Sequence, residues 1–235
     1  MGERGAGNVE QPLAAVGSFC RWAQAQGWVR AGLLAGIERR PQPRDEVAPI
    51  RYQQLHTLWT RPDIHVREKT LWRMLYETAA RANEILALNV EDVDVRARRA
   101  VVRGKGGRRQ EVVWASGTAR LLPRYLSGRG RGPVFVTHRR PNVAPALVDV
   151  CPDTGRGRLS YQQAWKLFRK ASGWTLHQLR HSALTHLGEA GVGAPLLKAK
   201  SRHRSLRSLD RYVRPGVEAV AALTAEHDPG RRYPQ

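Results

Sequence analysis

A mainly helical domain with a small antiparallel β-sheet, an α+β fold, is predicted for this chain of 235 residues. Three observations predict it. Apolar residues recur at helical spacing through most of the chain. One pair of alternating β-prone runs, DVDVRARRAVVRG and RRQEVVWA, flanks the glycine-rich turn GKGG, which reads as a hairpin. Hydrophobic residues make up 41% of the sequence, enough for a core, and no run approaches the roughly 18 apolar residues of a membrane span.

The elements follow in order. The first ten residues are polar. From about Pro12 to Trp28, Leu13, Val16, Phe19, Cys20, Trp22 and Ala23 share a helical face, and Gly27 ends the helix. The stretch ERRPQPRDEVAP at 38–49 holds three prolines and mixed charge and reads as a linker, giving domains over 1–48 and 49–235. One helix bearing Phe19, Trp22 and Trp28 cannot bury that face alone. Helices are predicted over 51–59 and 65–80, the latter with Leu71, Met74, Leu75 and Ala79 on one face, and 81–88 continues helically. The hairpin comes next, then a helix over 116–127, a strand-like PVFVT at 133–137 and a long loop to about 158. A helix over 159–171 has Tyr161, Ala164, Trp165 and Phe168 turned inward, and helices over 175–190, 193–199, 205–213 and 215–226 complete the chain.

Charge narrows the partner. Lys and Arg total 40 against 20 Asp and Glu, a net +20, which points to a polyanion and most often to nucleic acid. Of those cations 34 are Arg, whose guanidinium can fork onto phosphate oxygens. Two cysteines, Cys20 and Cys151, make neither a disulfide framework nor a zinc site of their own, and a reducing cytoplasm is expected.

Four segments carry polar residues at suggestive spacing. Arg81 follows the small residues Thr78, Ala79 and Ala80, with Glu84 one helical turn on; alone, this is also what a surface ion pair looks like. Lys105 sits at the hairpin tip. His177 and Arg180 share one face of WTLHQLRHSALTHL, while Leu176, Leu179, Ala183 and Leu187 form the buried side. His177 and His181 have the spacing of a zinc helix, but Gln178 stands where HExxH needs Glu, so no metal is expected. His203 and Tyr212 lie nine residues apart near the end. Together these groups suit metal-free phosphoryl transfer: arginines clamp non-bridging oxygens, Lys or His moves a proton, and Tyr is the nucleophile.

In order and spacing, these segments resemble the phage integrase family of tyrosine recombinases. Its T-G-x-R-x-x-E context reads Thr78-Ala79-Ala80-Arg81-Ala82-Asn83-Glu84 here. Its G-K-G hairpin lysine matches Lys105, its H-x-L-R-H matches His177-Gln178-Leu179-Arg180-His181, and its tyrosine nine residues after L-G-H matches Tyr212. Ser201-Arg202-His203 replaces L-G-H, placing a bulky cation where Gly is usual. The match covers roughly 48–226. Type IB topoisomerases share the chemistry, but the HxLRH box favours the integrase.

The resemblance implies a DNA breaking–rejoining catalytic fold, with Tyr212 attacking a scissile phosphate to form a 3′-phosphotyrosyl bond. Arg81 and Arg180 would bind the phosphate oxygens, Lys105 would protonate the leaving 5′-oxygen, His177 and His203 would assist, and Glu84 and His181 would support. No cofactor or ATP is implied. The partner would be double-stranded DNA, bound by a homotetramer on paired sites with accessory DNA-bending proteins, in the cytoplasm at the nucleoid and at no membrane. Residues 1–48 resemble the last helix of the family's helical (SAM-like) core-binding domain and its linker, with the earlier helices expected to be absent. A truncated, catalytically impaired integrase acting only as a basic DNA-binding protein is the competing reading.

Overall fold

The computed structural model describes residues 7–30, 32, 48–104, 106–140, 149–203, 205–209, 212, 221, 224–226 and 228, leaving out the side chains of 7–14, 206 and 207. The chain divides into two compact units, Met1–Glu46 and Val47–Gln235. In the first, α1 (Gly7–Ala25) ends just before Gly27, whose φ of 73° is readily reached only without a Cβ. Phe19, Trp22 and Trp28 cluster, with ring centroids 5.8 and 4.9 Å apart, and all three remain exposed.

The second unit is built around α3 (Val66–Thr78), which buries Leu71, Trp72, Met74 and Leu75. Against it pack α5 (Ser116–Leu126), α6 (Tyr161–Ser172) and α7 (Leu176–Glu189). The helix α2 (Tyr52–Thr60) adds Leu55 and Leu58 to the same core. Ser160 caps α6 by accepting from the Gln163 amide at 3.2 Å, and Gly173, left-handed at φ 78°, ends it. Gln178, the residue that spoiled the zinc-helix reading, accepts from the Thr175 amide at 2.8 Å and so caps the start of α7.

The sheet has three antiparallel strands in sequence order: β1 (Val93–Asp94), β2 (Arg99–Arg103) and β3 (Arg109–Val113). Arg103 pairs with Arg109, so the predicted GKGG tip is the turn. Ala100, Val102 and Val112 alternate inward, giving the sheet one buried face. The helix-rich fold with its small sheet is the predicted class. Among the described residues, no helix is long and apolar enough to cross a membrane.

Four local expectations need correction. The helix over 65–80 does not run on through 81–88. It stops at Ala79, which is left-handed at φ 49°, and restarts as α4 (Ala82–Leu86). Thr78 supports the break: its hydroxyl donates to the Met74 carbonyl at 2.6 Å and accepts from the Ala80 amide at 3.2 Å. PVFVT is extended and buried, but it makes only isolated bridges, Asn89 with Pro133 and Val136 with Arg158. Its backbone groups go to two different segments, Val134 N to Leu88 O and Leu159 N to Phe135 O, so no ladder forms. Along α6 only Ala164 and Phe168 are buried; Tyr161 and Trp165 are exposed. In place of a helix over 205–213, the described residues form a 3-10 turn, Leu206–Leu209. There the Ser208 hydroxyl donates to the Ser205 carbonyl at 2.7 Å, competing for a helical acceptor. Of the helix predicted over 215–226, the described residues Ala221, Thr224, Ala225 and Glu226 are helical, and the rest lies outside the described set.

Candidate active site

The break between α3 and α4 makes one wall of the site. Arg81, at the N-cap of α4, has an extended backbone and points half of its side chain to solvent. Glu84 holds it from below, accepting from the Arg81 guanidinium at 2.9 Å and from its backbone amide at 3.0 Å. The opposite wall is α7, where i,i+3 spacing brings His177 and Arg180 to one face. Between them lies a cleft of about 530 Å³ lined by Arg81, Arg103, Gly104, Tyr161, His177 and Arg180, among others. The β2–β3 hairpin therefore reaches the cleft. Lys105 itself lies outside the described residues, between Gly104 and Gly106.

Arg180 is 3% exposed. Its guanidinium donates to the carbonyls of Ala79 and Ser201, the latter at 2.7 Å, and lies 3.3 Å from Nε2 of His203. The left-handed turn at Ala79 leaves that carbonyl outside the helical ladder and available to Arg180. Burial pushes the Arg180 guanidinium down to about 10, helped by the positive charges of Arg81 and Arg202. It stays charged at neutral pH, in a setting where an anion would relieve the repulsion. His203 is fixed from its other side, with Nδ1 2.7 Å from the Ser201 hydroxyl.

Arg202 is the residue whose placement the sequence did not reveal. It follows α8 (Ala194–Ser201) as a left-handed C-cap, at φ 57°. Glycine is favoured there, and a residue with a Cβ pays on the order of 1 kcal/mol for it. The side chain is only 5% exposed and turns inward, donating to Glu84 at 2.8 Å and to the Lys200 carbonyl at 3.2 Å. Ala79 likewise stands at a glycine position of the family pattern and keeps the left-handed backbone. The signal for both was the pattern's own glycines, which mark where φ must be positive. Burial pushes the Glu84 carboxyl up, but the hydrogen bonds from Arg81 and the charge and hydrogen bond of Arg202 outweigh it and hold it below the ordinary range.

Tyr212 is 8% exposed and packs with Ala79, Ala183, Leu184, Leu197 and Leu209. Its hydroxyl lies 3.1 Å from Nδ1 of His181. It does not line the cleft. The tyrosine backbone sits hard against α7 at Gly188, where a Cβ would come within 1.9 Å of the Tyr212 carbonyl oxygen. Arg81, Glu84, His177 and Arg180 are thus brought together at one cleft, His203 joins them through Arg180, and Tyr212 docks beside them on His181.

Comparison with known proteins agrees with this architecture. The phage integrase family matches residues 49–218. The tyrosine recombinase XerD of Mycobacterium leprae is 32% identical over 238 residues, spanning 94% of this chain and 74% of that protein. XerC of Rhodospirillum centenum is 28% identical, spanning 97% and 68%. Among solved structures, XerA recombinase superposes with a TM-score of 0.59 at 20% identity over 94% of this chain and 77% of that one. The Tn1549 transposon integrase in complex with transposon right end DNA gives 0.60 at 14% identity, over 88% and 75%. With an R-x-x-E, an H-x-L-R-H and a late tyrosine gathered on one fold, the chain belongs to the phage integrase family, the tyrosine recombinases.

Proposed function

We propose that this chain recombines duplex DNA at specific sites by cleaving and rejoining one strand at a time through Tyr212. The observation that carries the reading is the convergence of Arg81, His177 and Arg180 on one cleft, with His203 bonded to Arg180. A scissile phosphate placed between the two arginines would have its non-bridging oxygens neutralised as charge builds in the transition state. The Tyr212 oxygen attacks phosphorus, a Tyr–O–P bond forms, and the P–O5′ bond breaks. The Tyr212 proton passes to a neighbouring base, and the 3.1 Å contact between the tyrosine hydroxyl and His181 Nδ1 supports a positioning role for His181. Lys105 supplies the proton that the leaving 5′-oxygen needs, with His177 donating to the phosphate. Attack by a 5′-hydroxyl of a second duplex reverses these steps and restores the phosphodiester, so no ATP is consumed.

Glu84 and Arg202 take no part in bond making. Glu84 aims Arg81, and Arg202 ties Glu84 to the segment that carries His203 and Tyr212. Residues 1–48 are read as the last helix and linker of a core-binding domain, whose exposed Phe19, Trp22 and Trp28 suit burial against further protein or DNA. The acting species is a homotetramer on two paired sites, assisted by DNA-bending proteins, in the nucleoid.

The test is a nicked suicide substrate, which loses the fragment needed for religation. Wild type is expected to accumulate an SDS-resistant protein–DNA adduct, and Tyr212→Phe none, with equal DNA binding that weakens steeply with salt. A bound substrate that traps neither protein would return the chain to the competing reading, a basic DNA-binding protein without catalysis.

A further inference from the structure

A second cluster of polar groups lies at the far end of α3, roughly 20 Å along the helix from Arg81 at 1.5 Å per residue. His65 is the N-cap of α3 and Glu68 is in its first turn. His138 follows the buried segment 133–136, which has no place in the sheet. The three offer ligand atoms that all lie within 4.8 Å of one another, the one such group among the described residues. Glu68 Oε1 is 3.2 Å from His138 Nε2, and Glu68 Oε2 is 3.5 Å from His65 Nδ1.

The carboxylate is buried and only half used. Oε1 accepts from the buried Arg67, whose guanidinium also donates to the Val136 carbonyl at 2.7 Å. Oε2 is buried with no hydrogen-bond partner. A buried carboxylate oxygen left without a hydrogen bond is unfavourable and is relieved by a donor or a cation. The two histidines flanking it are about half exposed, so a small solute can reach the site from solvent.

We propose that His65, Glu68 and His138 form a divalent metal site of the zinc class, clipping the start of α3 to the segment that ends at His138. Two imidazoles and one carboxylate are a common zinc donor set, with water in the fourth position. A tetrahedral site with bonds of about 2.0–2.1 Å has ligand–ligand edges of roughly 3.3 Å. The Glu68 Oε2 to His65 Nδ1 edge, at 3.5 Å, already lies close to that, and His138 Nε2 is 3.2 Å from the other oxygen of the same carboxylate. Glu68 would bind the ion through Oε2 and keep Oε1 for Arg67, so the buried arginine stays paired. His65 Nδ1 now accepts from the Arg67 amide at 3.1 Å. That amide is one of those a helix start leaves without a helical partner, and water can take it over. The ion would brace the end of α3 remote from the cleft and play no part in strand cleavage.

Calorimetric titration of the full chain with ZnCl2 tests this. One high-affinity ion per chain is expected, and Zn²⁺ at a hundredfold excess over Kd should raise the unfolding midpoint by roughly 5–10 °C. His138→Ala should lose both effects. So should His65→Asn, which keeps a helix-capping acceptor and so guards against misfolding as the explanation. Binding that survives in both variants would place the ion elsewhere, and no saturable binding to wild type would exclude the site. Either result overturns the proposal and leaves the recombinase reading untouched, because the suicide-substrate assay needs no metal.

Discussion

Each end of α3 has a buried glutamate against a buried arginine, and the two ends differ in how fully that glutamate is used. Beyond the C-terminal end, Glu84 accepts from the Arg81 amide, the Arg81 guanidinium and Arg202. Both its oxygens are spoken for, so it works as a fixed strut that sets where Arg81 points. At the N-terminal end, Glu68 gives one oxygen to Arg67 and His138 and keeps the other without a hydrogen bond, 3.5 Å from His65 Nδ1. A saturated carboxylate positions its neighbours, whereas a half-saturated one is able to receive a ligand.

The largest effect should come from exchanging each carboxylate for its amide. In Glu84→Gln the new NH2 must face a donor, because donors approach both oxygens, and the buried Arg202 loses its counter-charge. About 3–5 kcal/mol of stability should go. Glu68→Gln likewise takes the counter-charge from buried Arg67, but its NH2 can turn toward the bare Oε2 position instead of facing a donor, so it should cost about 1–2 kcal/mol less. Urea unfolding of the two variants compares them directly, and equal losses would break the contrast. Acid sharpens it. Since the fold lowers the Glu84 carboxyl, its stabilisation is fully present above its ordinary value of 4.5 and is lost as pH falls through the lower folded value. Wild type should therefore lose more stability over that acid range than Glu84→Gln does.

Much of this site was legible in the sequence because helical spacing is a local rule. His177 and Arg180 share a face for the same reason that Leu176, Leu179 and Ala183 share the opposite one. What escaped was set by backbone conformation and long-range approach. Arg202 reads only as a bulky cation beside His203 where Gly is usual, and its inward turn onto Glu84 goes with a left-handed backbone. The stop at Ala79 breaks an apolar pattern that reads straight through, since alanine carries no turn signal. The buried 133–136 segment has strand composition but no neighbouring strand to pair with along its length. His65 and Glu68 lie some 70 residues from His138, so no spacing pattern could join them. Tyr212 was found by its distance from His203, but its docking on α7 depends on a residue no motif names, Gly188.

Gly188→Ala should therefore act through Tyr212 and little through the rest of the unit. A Cβ 1.9 Å from the Tyr212 carbonyl oxygen must displace that segment. Overpacking of this kind costs about 1–3 kcal/mol, here mostly as undocking of the tyrosine. Cleavage by a protease after Arg211 should speed up by roughly tenfold or more, at 1.4 kcal/mol per tenfold, while global unfolding shifts little. Unchanged protease sensitivity would show that Gly188 does not seat the tyrosine.

The smallest effect tests the left-handed stop. Ala79→Gly removes a strain on the order of 1–2 kcal/mol and adds unfolded-state entropy worth about 0.5–1 kcal/mol. A net gain of up to about 1 kcal/mol is expected, read as a rise of roughly 2–4 °C in the unfolding midpoint. A loss of stability would mean that the Ala79 methyl group contributes more in the core than its backbone strain costs.

The most direct test of the account is chemical identification of the adduct. Protein trapped on a suicide substrate would be digested with nuclease and protease, and the peptide carrying the residual DNA phosphate sequenced by mass spectrometry. A 3′-phosphate esterified to Tyr212 is the predicted result. Phosphate on another residue, or on none despite stable binding of the substrate, would contradict the assignment of Tyr212 as the nucleophile.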